Sequence, residues 1–225
     1  MKSAPLLMTP ALVSACFAGN KTETRRVILP QPNPEWHHVG GFDFCTGGHL
    51  DFGTCCGDVK VKCRYGMPGD ELWVKENHYR RGKWVKAGRS KGRYDSKAVW
   101  HSPKQKWRFK PVSEEVKFED NAPEIVRLKK SDIGWRRRPS LFMRRQDSRL
   151  TLVLESVTVE RVQDITEAAA NSEGVKPLPS FDGDTFQFRT GFSSVWDHIN
   201  GKRLGGSLKV SANPWVLVMR FHVKK

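Results

Sequence analysis

Three segments of the chain, rich in apolar and β-branched residues and bounded by turn signals, predict β-strands. Residues 149–162 (RLTLVLESVTVERV) are dense in β-branched residues and predict the most regular strand, long enough to bend or bulge. Residues 215–223 (WVLVMRFHV) follow the break at 213–214 and predict a closing strand. Residues 71–76 (ELWVKE) leave the turn signal at 67–70 and predict a third strand.

Apolar residues at helical spacing predict short helices between these strands. Residues 8–18 have this spacing, with Thr9 as the N-cap, Pro10 in the first turn and Gly19 as part of the stop signal. Thr166 is placed to cap a helix that begins at 167 and ends at Gly174. Residues 192–200 predict a further helix with an apolar face of Phe192, Val195, Trp196 and Ile199.

The remaining segments have no clear period. Residues 35–62 are rich in glycine, aromatic residues and cysteine, and predict an insertion that contains a hairpin. Residues 80–110 predict short strands and turns with a basic, aromatic surface. Many short strands with few helices indicate a small α+β barrel, organised as one domain over residues 1–225 with insertions at about 35–62 and 80–140.

The charge of the chain gives the strongest indication of its partner. The chain has 225 residues, 39 Lys and Arg against 24 Asp and Glu, and a formal net charge of +15. This excess favours a polyanionic partner, because each neutralised phosphate releases counterions. Basic residues are concentrated over 121–150, which can be either a solvated basic loop or a nucleic-acid contact. Aromatic residues interleave with Lys and Arg over 79–108, as expected for single-stranded RNA or DNA; they are Tyr79, Trp84, Trp100 and Trp107.

Membrane and metal signals are weak. The sequence contains no run of 18 apolar residues, and the mildly apolar residues 1–17 are interrupted by polar ones, so we expect neither a membrane span nor a signal peptide but a cytoplasmic protein. Cysteines at 45, 55, 56 and 63 lie near histidines, which raises the question of zinc. Their spacing is not that of paired zinc ligands, so we expect reduced free thiols, with no metal and no cofactor.

Several motifs in a fixed order carry a family resemblance. They are GNKTETRR at 19–26, GMPGDELWVKE at 66–76, SRLTL at 148–152, VERVQDIT at 159–166, WDHINGKR at 196–203 and NPWV at 213–216. Together they resemble the ASCH branch of the PUA-like superfamily, and more closely its phage and prophage members. The resemblance implies a small β-barrel flanked by short helices, with a cleft for RNA or a modified nucleoside, and host cytoplasm as the location if a phage encodes the chain.

A more distant resemblance concerns catalysis. Bacterial ASCH amidohydrolases cleave the acetyl amide of N4-acetylcytidine with a Lys-x-x-Thr pair and a strand Glu, and these positions match Lys21, Thr24 and Glu76. Amide hydrolysis needs a nucleophile, a base and a group that stabilises the oxyanion. Lys21 can be the base if burial or the cations Arg25 and Arg26 lower its pKa. Glu76 can orient Lys21 or pass the proton to the leaving amine. If a carboxylate pairs closely with Lys21, the lysine is better suited to electrostatic stabilisation, with Glu76 as the base.

Three functions remain open at this level. The chain is an amidohydrolase of an N-acylated cytidine-type base, a non-catalytic reader of RNA or DNA, or a metal-independent ribonuclease. Trp73 either stacks on a base or packs in the core. The residues expected to contact nucleic acid are Arg25, Arg26, Trp73, Lys75, Arg136, Arg137, Arg138, Arg144, Arg145 and Arg149.

Overall fold

The structure is a computed structural model that describes residues 2–32, 37–43, 49–54, 57–94, 100–102, 104–125, 129–179 and 185–224. The described part divides into two compact units. The first consists of Met1–Lys75 and Ser148–Lys225, and the second of Glu76–Asp147. The segment at about 80–140, expected as an insertion, lies within the bounds of the second unit.

The elements follow one another as a strand-rich α+β chain with few helices, which confirms the α+β part of the predicted fold class. The strands are β1 (Ser3–Leu7), β2 (Glu23–Val27), β3 (His37–Asp43), β4 (His49–Thr54), β5 (Gly57–Lys62), β6 (Glu71–Lys75), β7 (His78–Arg89), β8 (Arg93–Tyr94), β9 (Trp100–His101), β10 (Gln105–Lys117), β11 (Gly134–Arg138), β12 (Thr151–Arg161), β13 (Leu178–Pro179), β14 (Phe186–Gln187) and β15 (Trp215–Val223). The α-helices are α1 (Pro10–Phe17), α2 (Glu167–Ser172) and α3 (Phe188–Asn200). The 3-10 helices are Glu119–Asn121, Ser140–Phe142, Arg145–Asp147, Val162–Asp164, Arg203–Gly206 and Val210–Ala212.

A five-stranded sheet organises the first unit, in the order β1-β6-β12-β15-β2. The β1–β6 pair is parallel and the other pairs are antiparallel. Within the described ranges, β1 and β2 are the two edges, so this sheet does not close on itself as a barrel would. The strand β12 contains a register shift between Leu154 and Ser156, which is the irregularity expected from its length.

Each face of this sheet supports its own core. Side chains of β15 alternate between the two: Leu217 and Met219 join the core that includes α1, while Val216 and Val218 join the core that includes α2 and α3. A strand that is covered on both faces has no polar face, which explains why residues 215–219 are continuously apolar.

The structure confirms the helix caps that the sequence predicted. Thr9 accepts a hydrogen bond from Leu12 N at the start of α1, and Thr166 accepts one from Ala169 N at the start of α2. Gly19 and Gly174 follow α1 and α2 with φ of +75° and +71°, the left-handed conformation that glycine adopts without strain.

The start of α3 was predicted wrongly. The helix begins at Phe188, four residues before the predicted start, because the Glu167 carboxylate accepts hydrogen bonds from the first backbone amides, Phe188 N and Arg189 N. The predicted apolar face is also only half correct. Phe192 and Trp196 are buried, whereas Val195 and Ile199 are exposed.

Several strands that form through pairing with distant segments were not predicted correctly from the sequence. Ser3–Leu7 was not predicted as a strand, since it is short and contains Pro5, yet it pairs in register with β6 at the sheet edge, where proline is tolerated. Residues 80–110 contain parts of two long strands, β7 and β10, in addition to the short strands β8 and β9, where only short strands were expected. Residues 37–62 contain a three-stranded meander, β3-β4-β5, where a hairpin was expected.

The longest α-helix is α3, with 13 residues. No helix in the described part of the chain is long and apolar enough to cross a membrane.

Gly191 in α3 offers a direct test of the packing of this helix. A Cβ at this position would overlap the backbone carbonyl oxygen of Lys176. We expect Gly191→Ala to destabilise the protein by about 1–3 kcal/mol, although helix propensity alone would favour alanine by about 1 kcal/mol. Urea unfolding measures the difference. Ser194→Ala, at an exposed position of the same helix, should change stability by less than about 0.5 kcal/mol. A stabilised Gly191→Ala variant would contradict the packing described here.

Candidate functional site

Lys21 lies just after α1, and its side chain is completely buried. Its Nζ donates hydrogen bonds to the backbone oxygen of Glu23, the backbone oxygen of Glu173 and Oε2 of Glu173, each at 2.7 Å. An ammonium has three N–H donors. All three are therefore used within the first unit, and the carboxylate that pairs with Lys21 is that of Glu173.

Glu173 caps the C-terminus of α2. A carboxylate is unfavourable at the negative end of a helix, so it needs nearby cations. Lys21 provides one and Arg25 the other, with Nη1 of Arg25 at 3.3 Å from Oε1 of Glu173. Gly174 makes room for this arrangement, because a Cβ there would lie 2.9 Å from the Cβ of Lys21.

Arg25 links Glu173 to two further carboxylates. Its Nε lies 2.6 Å from Oε1 of Glu160, and its Nη1 lies 3.3 Å from Oε2 of Glu23. The guanidinium also lies 6.0 Å from the ring centroid of Phe192. Arg220 completes the group, with its Nε 2.6 Å from Oε1 of Glu23. We call this the ion cluster; its three cations and three carboxylates are Lys21, Arg25, Arg220, Glu23, Glu160 and Glu173.

Burial shapes the ionisation of this region. It lowers the pKa of Lys21, an effect that the Glu173 carboxylate offsets only in part and to which Arg26 contributes. Burial also lowers the pKa of Arg25, but the carboxylates of Glu173, Glu160 and Glu23 outweigh it and raise the pKa overall. Burial raises the pKa of the neighbouring Cys16 thiol to about 11, which keeps this thiol protonated and unreactive at neutral pH.

Thr24 belongs to the other face of the sheet. It lies opposite Met219 in the β2–β15 pairing and therefore faces the core that includes α1, whereas Arg25 lies opposite Val218 and faces α3. Thr24 is 1% exposed. Among the described residues, its hydroxyl forms no hydrogen bond.

Glu76 begins the second unit, directly after β6. It is buried; its backbone N–H contacts Sδ of Met143 at 3.3 Å, and its backbone oxygen lies 3.3 Å from Nδ1 of His78. The place beside the Lys21 ammonium that the sequence indicated for Glu76 is taken by Glu173. A catalytic role for Glu76 stays a prediction.

The remaining expected nucleic-acid contacts of the first unit have intramolecular partners. Nη2 of Arg26 donates to the backbone oxygen of Leu7 at 2.7 Å. The Nζ of Lys75 lies 5.3 Å from the ring centroid of half-buried Trp73, and the guanidinium of Arg149 lies 5.3 Å from the ring centroid of Phe17. These three cations lie at least partly at the surface, unlike Arg25.

In the second unit, several of the expected arginines are engaged with acids or backbone oxygens. Nη2 of Arg136 donates to the backbone oxygens of Lys129 and Asp132, and Nε of Arg137 pairs with Glu119 at 3.0 Å. Arg144 pairs with Glu114 at 2.8 Å and with Asp147 at 3.0 Å. Arg145 is exposed in the 3-10 helix Arg145–Asp147.

Arg80 belongs to the basic, aromatic stretch over 79–108, where the sequence predicts surface contacts with nucleic acid, but the structure buries it. It is 5% exposed, and its Nη1 pairs with Oδ2 of Asp147 at 2.7 Å. Burial raises the pKa of Asp147, but Arg144 and Arg80 outweigh this effect and lower the pKa overall. The basic stretch around 136–147 is thus largely paired within the second unit rather than left open as a free basic loop.

The sheet β10-β7-β11 of the second unit brings aromatic rings and cations together. The guanidinium of Arg138 lies 5.1 Å from the ring centroid of Trp84 and 4.7 Å from that of Phe109. Lys130 lies 4.7 Å from the ring of Trp107, and Lys117 lies 5.0 Å from the ring of Trp135. The tryptophans of these three pairs are partly exposed.

Metal ligands are not grouped in the part of the chain that is described: no three His, Cys, Asp or Glu side chains there could hold an ion together. Cys16 and Cys63 are buried free thiols. Cys45, Cys55 and Cys56, which raised the question of zinc, lie outside the described residues.

Comparison with protein-family models, curated proteins and solved structures found no match to this chain.

Glu173 can be tested by a neutral substitution of the same shape. Glu173→Gln would leave Lys21 and Arg25 buried with one carboxylate fewer, so we expect a loss of about 3–5 kcal/mol in the free energy of unfolding. The matched control is Glu155→Gln, which removes an exposed partner of His222 and should cost less than about 1 kcal/mol. Denaturant unfolding measures both variants. Equal losses would show that the ion cluster does not depend on Glu173.

Proposed function

We propose that this chain is a nucleic-acid-binding protein of the PUA-like type. The observation that carries the proposal is the set of partly exposed tryptophans on the β10-β7-β11 sheet, each with a cation beside its ring. Bases of single strands stack on such rings, while nearby Lys and Arg attract the phosphates. The formal net charge of +15 favours the same class of partner.

The family assignment rests on motif order. Five of the six motifs that resemble ASCH proteins overlap strands β2, β6, β12 and β15, which are neighbours in one sheet. Motifs that are far apart in sequence but share a sheet support a common architecture. This is an analogy at the level of the fold, and binding has to be argued from the residues themselves.

Trp107 is the sharpest test of stacking. We expect Trp107→Ala to weaken binding of a fluorescently labelled single-stranded RNA by about 5- to 150-fold, because stacking contributes about 1–3 kcal/mol per base. Trp107→Phe keeps an aromatic ring and should retain most of the affinity. Fluorescence anisotropy at low salt provides the measurement. Binding that is unaffected by Trp107→Ala would remove stacking at this ring from the proposal.

A second candidate function is hydrolysis of an N-acylated cytidine-type base in the first unit. It rests on the resemblance of Lys21 and Thr24 to the Lys-x-x-Thr pair of the ASCH amidohydrolases, with the Thr24 hydroxyl as the nucleophile. Attack by Thr24 Oγ1 would form an ester with the acyl carbon and break the acetyl C–N bond, and the cytosine amine would leave with the proton of the Thr24 hydroxyl. Water would then hydrolyse the ester, release acetate and restore the hydroxyl. Lys21, whose donors are all engaged, suits the role of a fixed positive charge rather than that of a base.

Two substitutions of Thr24 separate chemistry from folding. Thr24→Val removes the hydroxyl, so release of acetate from N4-acetylcytidine should fall to the uncatalysed level, whereas Thr24→Ser keeps a hydroxyl and should retain activity. Stability should change little in either variant, since the hydroxyl has no described partner to lose. If wild-type protein releases no acetate, or if Thr24→Val is as active as wild type, this candidate is excluded.

A further inference from the structure

Four exposed or partly exposed cations of the second unit lie close together on strands β7 and β10. Arg81 and Lys83 are two residues apart on β7, and Arg108 and Lys110 are two residues apart on β10. In the antiparallel register, Lys83 lies directly opposite Lys110, and Val85 lies directly opposite Arg108. Residues that lie opposite each other share a face, so the four cations lie on the same face of the sheet. We call them the cationic strip.

The strip has no acidic partners in the described part of the chain. Among the residues that the structure describes, none of its four side chains forms an ion pair or a hydrogen bond. Three of them are exposed, and Lys83 is half-buried. The carboxylates available in β10 and after it are engaged elsewhere: Glu114 with Arg80 and Arg144, Glu115 with Lys117, and Glu119 with Arg137.

This arrangement of charges lowers the stability of the protein when no ligand is bound to the strip. Like charges directly opposite each other on neighbouring strands repel, and Lys83 and Lys110 are such a pair. Pairing each lysine with a carboxylate across the strands would have removed the repulsion. An external anion that bridges the strip would do the same, so the strip is suited to a ligand with several negative charges in a row.

The surroundings of the strip indicate which polyanion fits. Trp135 on β11 lies opposite Arg81, so a partly exposed indole flanks the strip on the same face. Val85, the apolar residue opposite Arg108, is half-buried. A membrane-binding surface needs protruding apolar side chains that enter the lipid. A flat row of cations beside an aromatic ring is instead the arrangement that follows a nucleic-acid backbone.

We propose that the cationic strip is the phosphate-binding surface of this protein and that it contacts the sugar-phosphate backbone of nucleic acid without reading sequence. The inference rests on the proposed nucleic-acid binding and deepens it. It moves the main backbone contacts away from Arg136, Arg137 and Arg144, whose side chains are hydrogen-bonded or ion-paired within the unit.

The test is a pair of charge-matched double variants. Lys83→Gln with Lys110→Gln removes the central pair of the strip. Lys202→Gln with Lys209→Gln removes two exposed lysines of the first unit, and both double variants lower the net charge of +15 by two. Binding of labelled oligo-U RNA and oligo-dA DNA is measured by anisotropy over a range of salt concentrations, using the full chain.

We expect the strip variant to bind about 25-fold more weakly at about 0.1 M salt, because each lost phosphate contact on a single strand costs about fivefold there. The slope of log K against log salt should fall in magnitude by about 1.4. The loss should be the same for both oligonucleotides, since phosphate contacts carry no sequence information. The control variant should bind like wild type.

Each other outcome has a definite meaning. If the strip variant and the control variant bind alike while Trp107→Ala weakens binding, the strip is excluded and the proposed function stands. If wild-type protein binds neither oligonucleotide at low salt, both fail. Binding to anionic phospholipid vesicles in place of oligonucleotides would also overturn the strip as a nucleic-acid surface. Misfolding is checked by thermal unfolding, where relief of the Lys83–Lys110 repulsion should leave the strip variant at least as stable as wild type.

Discussion

The first unit depends on how one buried ammonium is satisfied. Lys21 has no solvent contact through its side chain, and an unpaired buried cation would cost several kcal/mol. The fold meets this requirement with Glu173 at the end of α2 and a backbone oxygen at the start of β2. These contacts hold α2 and β2 together. Arg25 pairs with both Glu173 and Glu160, and it thereby connects the end of α2 to β12. Because buried cations need carboxylate partners, the ion cluster contains as many carboxylates as cations.

The two units use their positive charge differently. In the first unit, the cations of the ion cluster are matched one to one by carboxylates. In the second unit, arginines near the end of the segment are paired with Glu114, Glu119 and Asp147, whereas the four cations of the cationic strip have no acidic partner among the described residues. A high density of basic residues in the sequence therefore does not mark the surface that is free to bind. The free surface is defined by which cations lack an acidic neighbour.

Local signals in the sequence were sufficient for much of the fold. The caps at Thr9 and Thr166, and the apolar runs of β6, β12 and β15, act over a few residues and were located correctly. The start of α3 was missed because its first amides are capped by Glu167, which is 21 residues away. The strand β1 was missed because it contains Pro5 and is defined by its pairing with β6.

For the candidate site, the sequence by itself selected Lys21, Thr24 and Glu76, and only the tertiary structure showed which residues are their partners. Lys21 and Thr24 were selected from motif order, but Glu173, 152 residues from Lys21, was not. Its position as a carboxylate at a helix end was the one local sign that it needed cations. The sequence predicted a basic surface over residues 80–110, but it could not show that Lys83 and Lys110 are neighbours, because they meet only through the register of β7 and β10. Helix caps and strand periodicity are encoded within a few residues, whereas ion pairing depends on which distant segments the packed sheet brings together.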